Sequence, residues 1–139
     1  MVRARRQDVP VSTTEAITNG IRVEVDAAYS AEHSVPQLGQ WFFLYTIRIR
    51  NSSDETVQLL ARHWIITDAT GTVEEVKGPG VVGEQPVLEP GEAFQYTSGC
   101  PLAAPWGSMR GRYEMRTASG TRFDAEIPSF ELRHPGGTH

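Results

Sequence analysis

Apolar and polar residues alternate along most of this chain with a period of two. Ile21, Val23, Val25 and Ala27 fall on one side of a run whose other side is Arg22, Glu24 and Asp26. That pattern predicts a half-buried β-strand, because successive strand side chains point to opposite faces. Trp41 to Asn51 repeats it more strongly, with Phe43, Tyr45, Ile47 and Ile49 facing one way and Thr46, Arg48 and Arg50 the other. Val57 to Asp68 is apolar on both faces: Val57, Leu59, Ala61 and Ile65 are in phase, Leu60, Trp64 and Ile66 out of it. Both sides of that strand are therefore expected to be covered. Thr72 to Lys77 reads as a short strand, and Phe94 and Tyr96 alternate out of a tight turn at Leu88 to Glu92. Arg110 to Thr117 alternates again, Phe123, Ala125 and Ile127 form its return strand, and Phe130 and Leu132 continue it beyond Pro128.

Turn chemistry separates these runs. Ser30 to Gly39 holds Pro36 and Gly39, Asn51 to Glu55 is a polar cluster, and Ala118-Ser119-Gly120 predicts a hairpin. Ser98 to Gly107, rich in Pro, Gly and Ala, reads as irregular. About seven or eight short strands without an amphipathic run of helical length predict an all-β fold, an antiparallel two-sheet β-sandwich of fibronectin type III or immunoglobulin-like class. Gly111-Arg112-Tyr113-Glu114-Met115 sharpens this reading. Immunoglobulin sandwiches carry a tyrosine corner two residues before a cysteine, and Met115 would stand in that cysteine's place. The domain is expected at 13–134, between polar tails at 1–12 and 135–139.

Composition narrows the function. The chain has 139 residues, enough for one core, and a net charge of −4. A mildly acidic chain lacks the footprint of a nucleic-acid binder. Arg3, Arg5 and Arg6 are followed by Gln7, Asp8, Val9 and Pro10 rather than by an apolar run, so no signal peptide is expected. No window approaches the roughly 18 apolar residues of a membrane span, so no membrane insertion is expected either. Cys100 is the single cysteine, which rules out an intrachain disulfide and fits a reducing cytoplasm.

Gly78-Pro79-Gly80-Val81-Val82-Gly83-Glu84-Gln85-Pro86 carries the letters of a dinucleotide-binding fingerprint. That fingerprint needs a helix behind its glycines, and Pro86 and Pro90 leave no room for one. Two readings survive. Successive amides of Gly78, Gly80 and Gly83 could form an anion nest for pyrophosphate or a nucleotide. More plainly, the glycines serve positive backbone angles in a loop.

Several stretches taken in order resemble the ApaG family: Arg62 to Asp68, Gly80 to Pro86, Pro90-Gly91-Glu92, Tyr96 to Leu102 and Met109-Arg110-Gly111. The similarity runs over roughly 13–134. It departs at Pro79, where the family pattern favours Glu, and a proline there removes one amide from any cradle. The resemblance implies a fibronectin type III-like sandwich. It also implies a link to cobalt and magnesium efflux, under the name CorD, and a protein-binding role like that of similar domains in F-box proteins and in a polymerase-delta-interacting protein. It brings no catalytic residues and no cofactor.

Three chemistries remain to be weighed. A divalent metal site would centre on His63, yet no ligand-spaced partner lies near it, and a hydrogen-bonded role within the sheet is the plainer reading. Nucleophilic catalysis would need Cys100 activated by a base such as His63, with no third group to orient it; a buried thiol is the plainer reading. Glu74, Glu75 and Glu84 read as solvated carboxylates at strand ends. Protein binding has the most support, because loops on a rigid sandwich commonly carry recognition. Val81 and Val82, between Gly80 and Gly83 and flanked by Gly78 and Glu84, are expected to be exposed and to form an apolar patch with Trp106. The opposing expectation is that these side chains tuck onto the core. The sequence identifies no partner and leaves a homodimer open.

Overall fold

Nine strands run through residues 12–135, the part of the chain that this computed structural model describes. Apart from Ser12 and Pro135, the expected tails lie outside it. β1 (Ser12–Thr18), β2 (Ile21–Tyr29), β3 (Trp41–Asn51) and β7 (Ala93–Leu102) make one antiparallel sheet, joined in the order β1-β2-β3-β7. β4 (Val57–Asp68), β5 (Val73–Pro79), β8 (Trp106–Thr117) and β9 (Arg122–Arg133) make the other, in the order β5-β4-β8-β9, and the two-residue β6 (Val87–Leu88) also pairs with β4. The sheets face each other as the antiparallel sandwich that the alternation predicts. Val23, Val25, Phe43, Ile47 and Ile49 from the first sheet meet Leu59, Met109, Tyr113, Met115, Ile127 and Leu132 from the second.

Two bulges decide which residues reach that core. Opposite β8, Leu59 pairs with Met115 and Ala61 with Glu114, so β4 carries one extra residue at Leu60. An inserted residue reverses the phase of everything beyond it. Val57 and Leu59 point inward before the bulge; Trp64 is buried after it, while Ala61 and Ile65 are only half-buried. The in-phase set expected from unbroken alternation is thus corrected. β9 does the same near Pro128. Met109 and Gly111 lie opposite Phe130 and Ile127, so the spare residue is in β9, and Phe130 and Leu132 return to the core. A proline is tolerated there because the ladder is already interrupted.

Two further expectations change, and one strand is new. β1, where the apolar positions do not alternate, is an edge strand with Ile17 facing outward. The Asn19-Gly20 pair that joins β1 to β2 has positive φ at both residues, 50° and 80°, the geometry of a two-residue hairpin. The segment from Ser98 is not irregular. β7 continues through Pro101 to Leu102, burying Cys100 and Leu102, and Pro101 is accommodated because β7 is an edge strand. Tyr113, fully buried, makes no corner with its own upstream backbone. Its hydroxyl reaches across the sandwich to that of Tyr96, 2.5 Å away.

The two long sides of the sandwich differ. On one, β1 and β2 pack against β9, and the Glu126 N–H donates to Thr18 Oγ1 at 3.1 Å. On the other, β5 and β7 are both sheet edges, and no ladder joins them among the described residues.

Candidate functional site

The open side holds a cleft of about 400 Å³. Its walls follow from the β4 bulge. With the phase reversed at Leu60, Arg62, Trp64 and Ile66 turn inward, while His63 turns out. Tyr45 comes from β3, Tyr96, Ser98 and Cys100 from β7, and Glu74 and Val76 from β5. Trp64 meets Tyr45 edge-on, with ring centroids 5.4 Å apart, and this aromatic pair forms the floor.

The glycine segment closes one end of the cleft and is tighter than a loop. Gly78 lies within β5, and Gly80 N–H donates to Leu60 O at 2.9 Å. Val81 N–H donates to Glu84 O and Glu84 N–H returns to Val81 O, at 2.8 and 2.9 Å. Val82 and Gly83 stand between them with φ of 43° and 83°, so both central residues are left-handed and the turn is of type I′. A Cβ at Gly80 would collide with Glu84 O, so glycine there is a steric requirement. Arg62 clasps the segment. Its Nη1 donates to Pro79 O and Gly80 O, both at 3.0 Å, and its guanidinium lies over Gly78, where a Cβ would come within 3.0 Å of it.

Val81 and Val82 therefore part company. Val81 is 1% exposed and belongs to the core, which corrects the expectation that both valines are presented. Val82 is 55% exposed, at the rim of the cleft. Trp106 is exposed, but it begins β8 at the opposite end of the sheet instead of lying in a loop and does not line the cleft, so the expected patch with the valines does not form. The amides of Gly80, Val81 and Glu84 are already committed to backbone carbonyls, so the nest that anion binding requires does not form from them.

Electrostatics keep the interior of the cleft protonated. Burial, together with the nearby Glu74, pushes the Cys100 thiol up to about 12. Burial likewise raises the phenols of Tyr45, Tyr96 and Tyr113, with the Arg62 guanidinium opposing it in each. Cys100 is a thiol at neutral pH, and His63 sits on the outer face of the opposite sheet, so the two do not form a nucleophile–base pair. His63 Nε2 lies 2.7 Å from Glu75 Oε1, and that bond holds the Glu75 carboxyl below its usual range. No group of three His, Cys, Asp or Glu side chains converges for a metal among the described residues. Nor, among them, is any helix long and apolar enough to cross a membrane. Sequence reasoning missed Arg62 and Trp64 as site residues because the phase reversal at Leu60 has no compositional mark, and Tyr96 because nothing within β7 shows which strands face it.

Fold and site together define a class: a small antiparallel β-sandwich, closed along one side and carrying a cleft between its two free edge strands. Within that class the chain belongs to the ApaG domain family, whose pattern matches residues 31–117. It is 55% identical over 121 residues to Protein ApaG of Rhodospirillum centenum, covering 87% of this chain and 93% of that protein. It is 53% identical over 120 residues to Protein ApaG of Brucella anthropi, covering 86% and 92%. The structure of an ApaA protein from Bordetella pertussis superposes with a TM-score of 0.81 at 47% identity, over 84% of this chain and 94% of that one. The X-ray structure of a second structural-genomics target gives the same TM-score and identity over 89% and 94%.

Proposed function

We propose that this chain is a non-catalytic recognition module that takes a side chain of a protein partner into the cleft between β5 and β7. Val82 carries the reading. A β-branched residue rarely adopts a left-handed backbone, and strain of this kind is held in place where a site uses it. Here it lifts an apolar side chain out of the core to the rim of a cleft walled by Trp64, Val76 and Val81. Arg62 and Glu74 place opposite charges in the same cleft, suited to the polar groups of a peptide. In this reading any link to cobalt and magnesium efflux runs through the cytoplasmic partner, since the side chains of the described residues do not gather into a ligand set.

Affinity capture from native cytosol, read by mass spectrometry, tests it. The parent should retain a partner that Val82→Asp loses, because an apolar anchor commonly costs more than about 1 kcal/mol when removed. Equal capture by both would remove the cleft rim from the interface. The anion reading has its own readout. Pyrophosphate or ATP should leave the amide resonances of Gly78, Gly80 and Gly83 unmoved, and a saturable shift there would put the anion ahead of the protein.

A further inference from the structure

The free edge of β5 is self-complementary. Gly80 N–H donates to Leu60 O and Asp68 N–H to Thr72 O, which fixes the even-numbered residues of 72–80 as those bonded to β4. The odd-numbered residues Val73, Glu75 and Lys77 then turn their N–H and C=O groups toward the open edge, as does the carbonyl of Pro79. No strand among the described residues covers that edge. Unpaired edges invite another chain, and a lone lysine usually guards against it. In this strand the lysine has a carboxylate two residues away.

Consider two copies pairing antiparallel about a twofold axis. With Val76 opposite Val76 of the second copy, each Glu75 faces a Lys77 and each Val73 faces a Pro79. Both Glu75–Lys77 pairs fall at hydrogen-bonded positions, and each Val73 N–H meets a carbonyl of Pro79; Pro79 has no amide to return, so the Val73 carbonyl at each end of the ladder stays with water. Other registers are poorer. Centring on Glu75 sets carboxylate against carboxylate, centring on Glu74 does the same, and centring on Lys77 sets ammonium against ammonium. Like charges directly opposite are unfavourable and opposite charges favourable, so charge selects one register. A closed isologous dimer needs this kind of self-complementarity.

We infer that the chain pairs with a second copy of itself through the β5 edge, in the register that places Val76 on the twofold axis. Val73, 58% exposed, would be covered, and the β4–β5 sheets of the two copies would become continuous. Glu75 and Lys77 lie on the outer face; Glu74 and Val76 lie on the face that lines the cleft, so the two clefts would meet along one seam. The free edge of β7 has no charged residue to set such a register. It stays open beside Val82, so this inference stands apart from partner capture. Seven residues of edge bury less than a standard interface, so the dimer is a weak one that depends on concentration and salt.

Charge reversal tests it through sedimentation across the micromolar to millimolar range at low salt. The parent should dimerise. Lys77→Glu and Glu75→Lys, each alone, should lower association about tenfold by replacing two attractive pairs with two repulsive ones. Mixing the two variants should restore it, because the heterodimer keeps one pair with the parent's charges and carries the other with both charges reversed, so both pairs attract. On a Cys100→Ser background, Val76→Cys should form an intermolecular disulfide under mild oxidation, since residues opposite at a non-hydrogen-bonded position sit about 4.5 Å apart at Cα. Val73→Cys, which faces Pro79, should not. A parent that stays monomeric throughout, or a dimer indifferent to both reversals, would overturn the inference. Neither result would bear on capture by the cleft.

Discussion

At the scale of single residues, Val82 and Asn51 mark the two ends of what the sequence asks of its backbone. Val82 is strained and exposed, so replacing it should relieve the strain without loss of packing. Val82→Asn is expected to stabilise the fold by about 1 kcal/mol, since left-handed backbone costs an ordinary residue roughly that much. For a domain of this size that is a rise in Tm of about 4 °C, readable by calorimetry. Asn51 is the opposite case. Fully buried, it donates through Nδ2 to Glu55 O and Leu88 O, at 2.8 and 2.9 Å, and accepts at Oδ1 from Ser53. Asn51→Ala removes both Nδ2 bonds and the acceptor of Ser53, leaving Glu55 O to Ser53 Oγ, and should destabilise by about 3 kcal/mol, measured by urea unfolding. The ionisable residues of the cleft give a pH dependence. Cys100 has a folded value raised from 9.0 to about 12, and the three buried phenols are raised in the same direction. A raised value means that the unfolded chain loses its protons first. The contribution is therefore complete below about pH 9 and declines as pH rises toward 12. The urea midpoint should be flat from pH 7 to about 9 and fall above it, and a midpoint that climbs there would refute the assignment.

At the scale of elements, the bulges and the Arg62 clasp do the positioning. Deleting Leu60 should return Trp64 to the outer face and His63 to the core, and abolish cooperative folding, because a one-residue slip reverses every side chain beyond it. Arg62→Lys keeps the charge and loses the planar fork that holds the Pro79 and Gly80 carbonyls. Amide exchange at Val81 and Glu84 should then accelerate while Ile47 and Met115 remain protected, a pattern that separates a loosened turn from a weakened fold. These elements also mark how far the sequence was legible. β2 and β3 could be read residue by residue, since each buries one face in unbroken alternation. β1 escaped because an edge strand need not alternate, although Asn19-Gly20 announced its hairpin. β4 was found but read in the wrong phase beyond Leu60, because a bulge is settled by the facing strand, whereas in β9 the break at Pro128 and the return of Phe130 and Leu132 were legible from the proline itself. The candidate site shared that fate. Val82 was named, Val81 was misplaced, and Arg62, Trp64 and Tyr96 became visible only once the two sheets were set face to face.

At the scale of the whole molecule, the sandwich is sealed where β1 and β2 meet β9 and open where β5 and β7 do not meet. That asymmetry gives the chain a place to hold a partner's side chain without unfolding, and the central claim is that a protein binds there. The most direct measurement is to titrate the captured partner, or the segment of it that binds, into isotopically labelled protein and map the amide shifts. The account predicts the largest shifts at Val76, Val82, Gly83, Tyr96 and Ser98, with the strands β1 and β9 of the sealed side unmoved, and the same titration into Val82→Asp should need far more partner. Shifts centred on the outer faces, around Arg48 and Gln95 or around Arg112 and Asp124, with Val82→Asp binding like the parent, would contradict it.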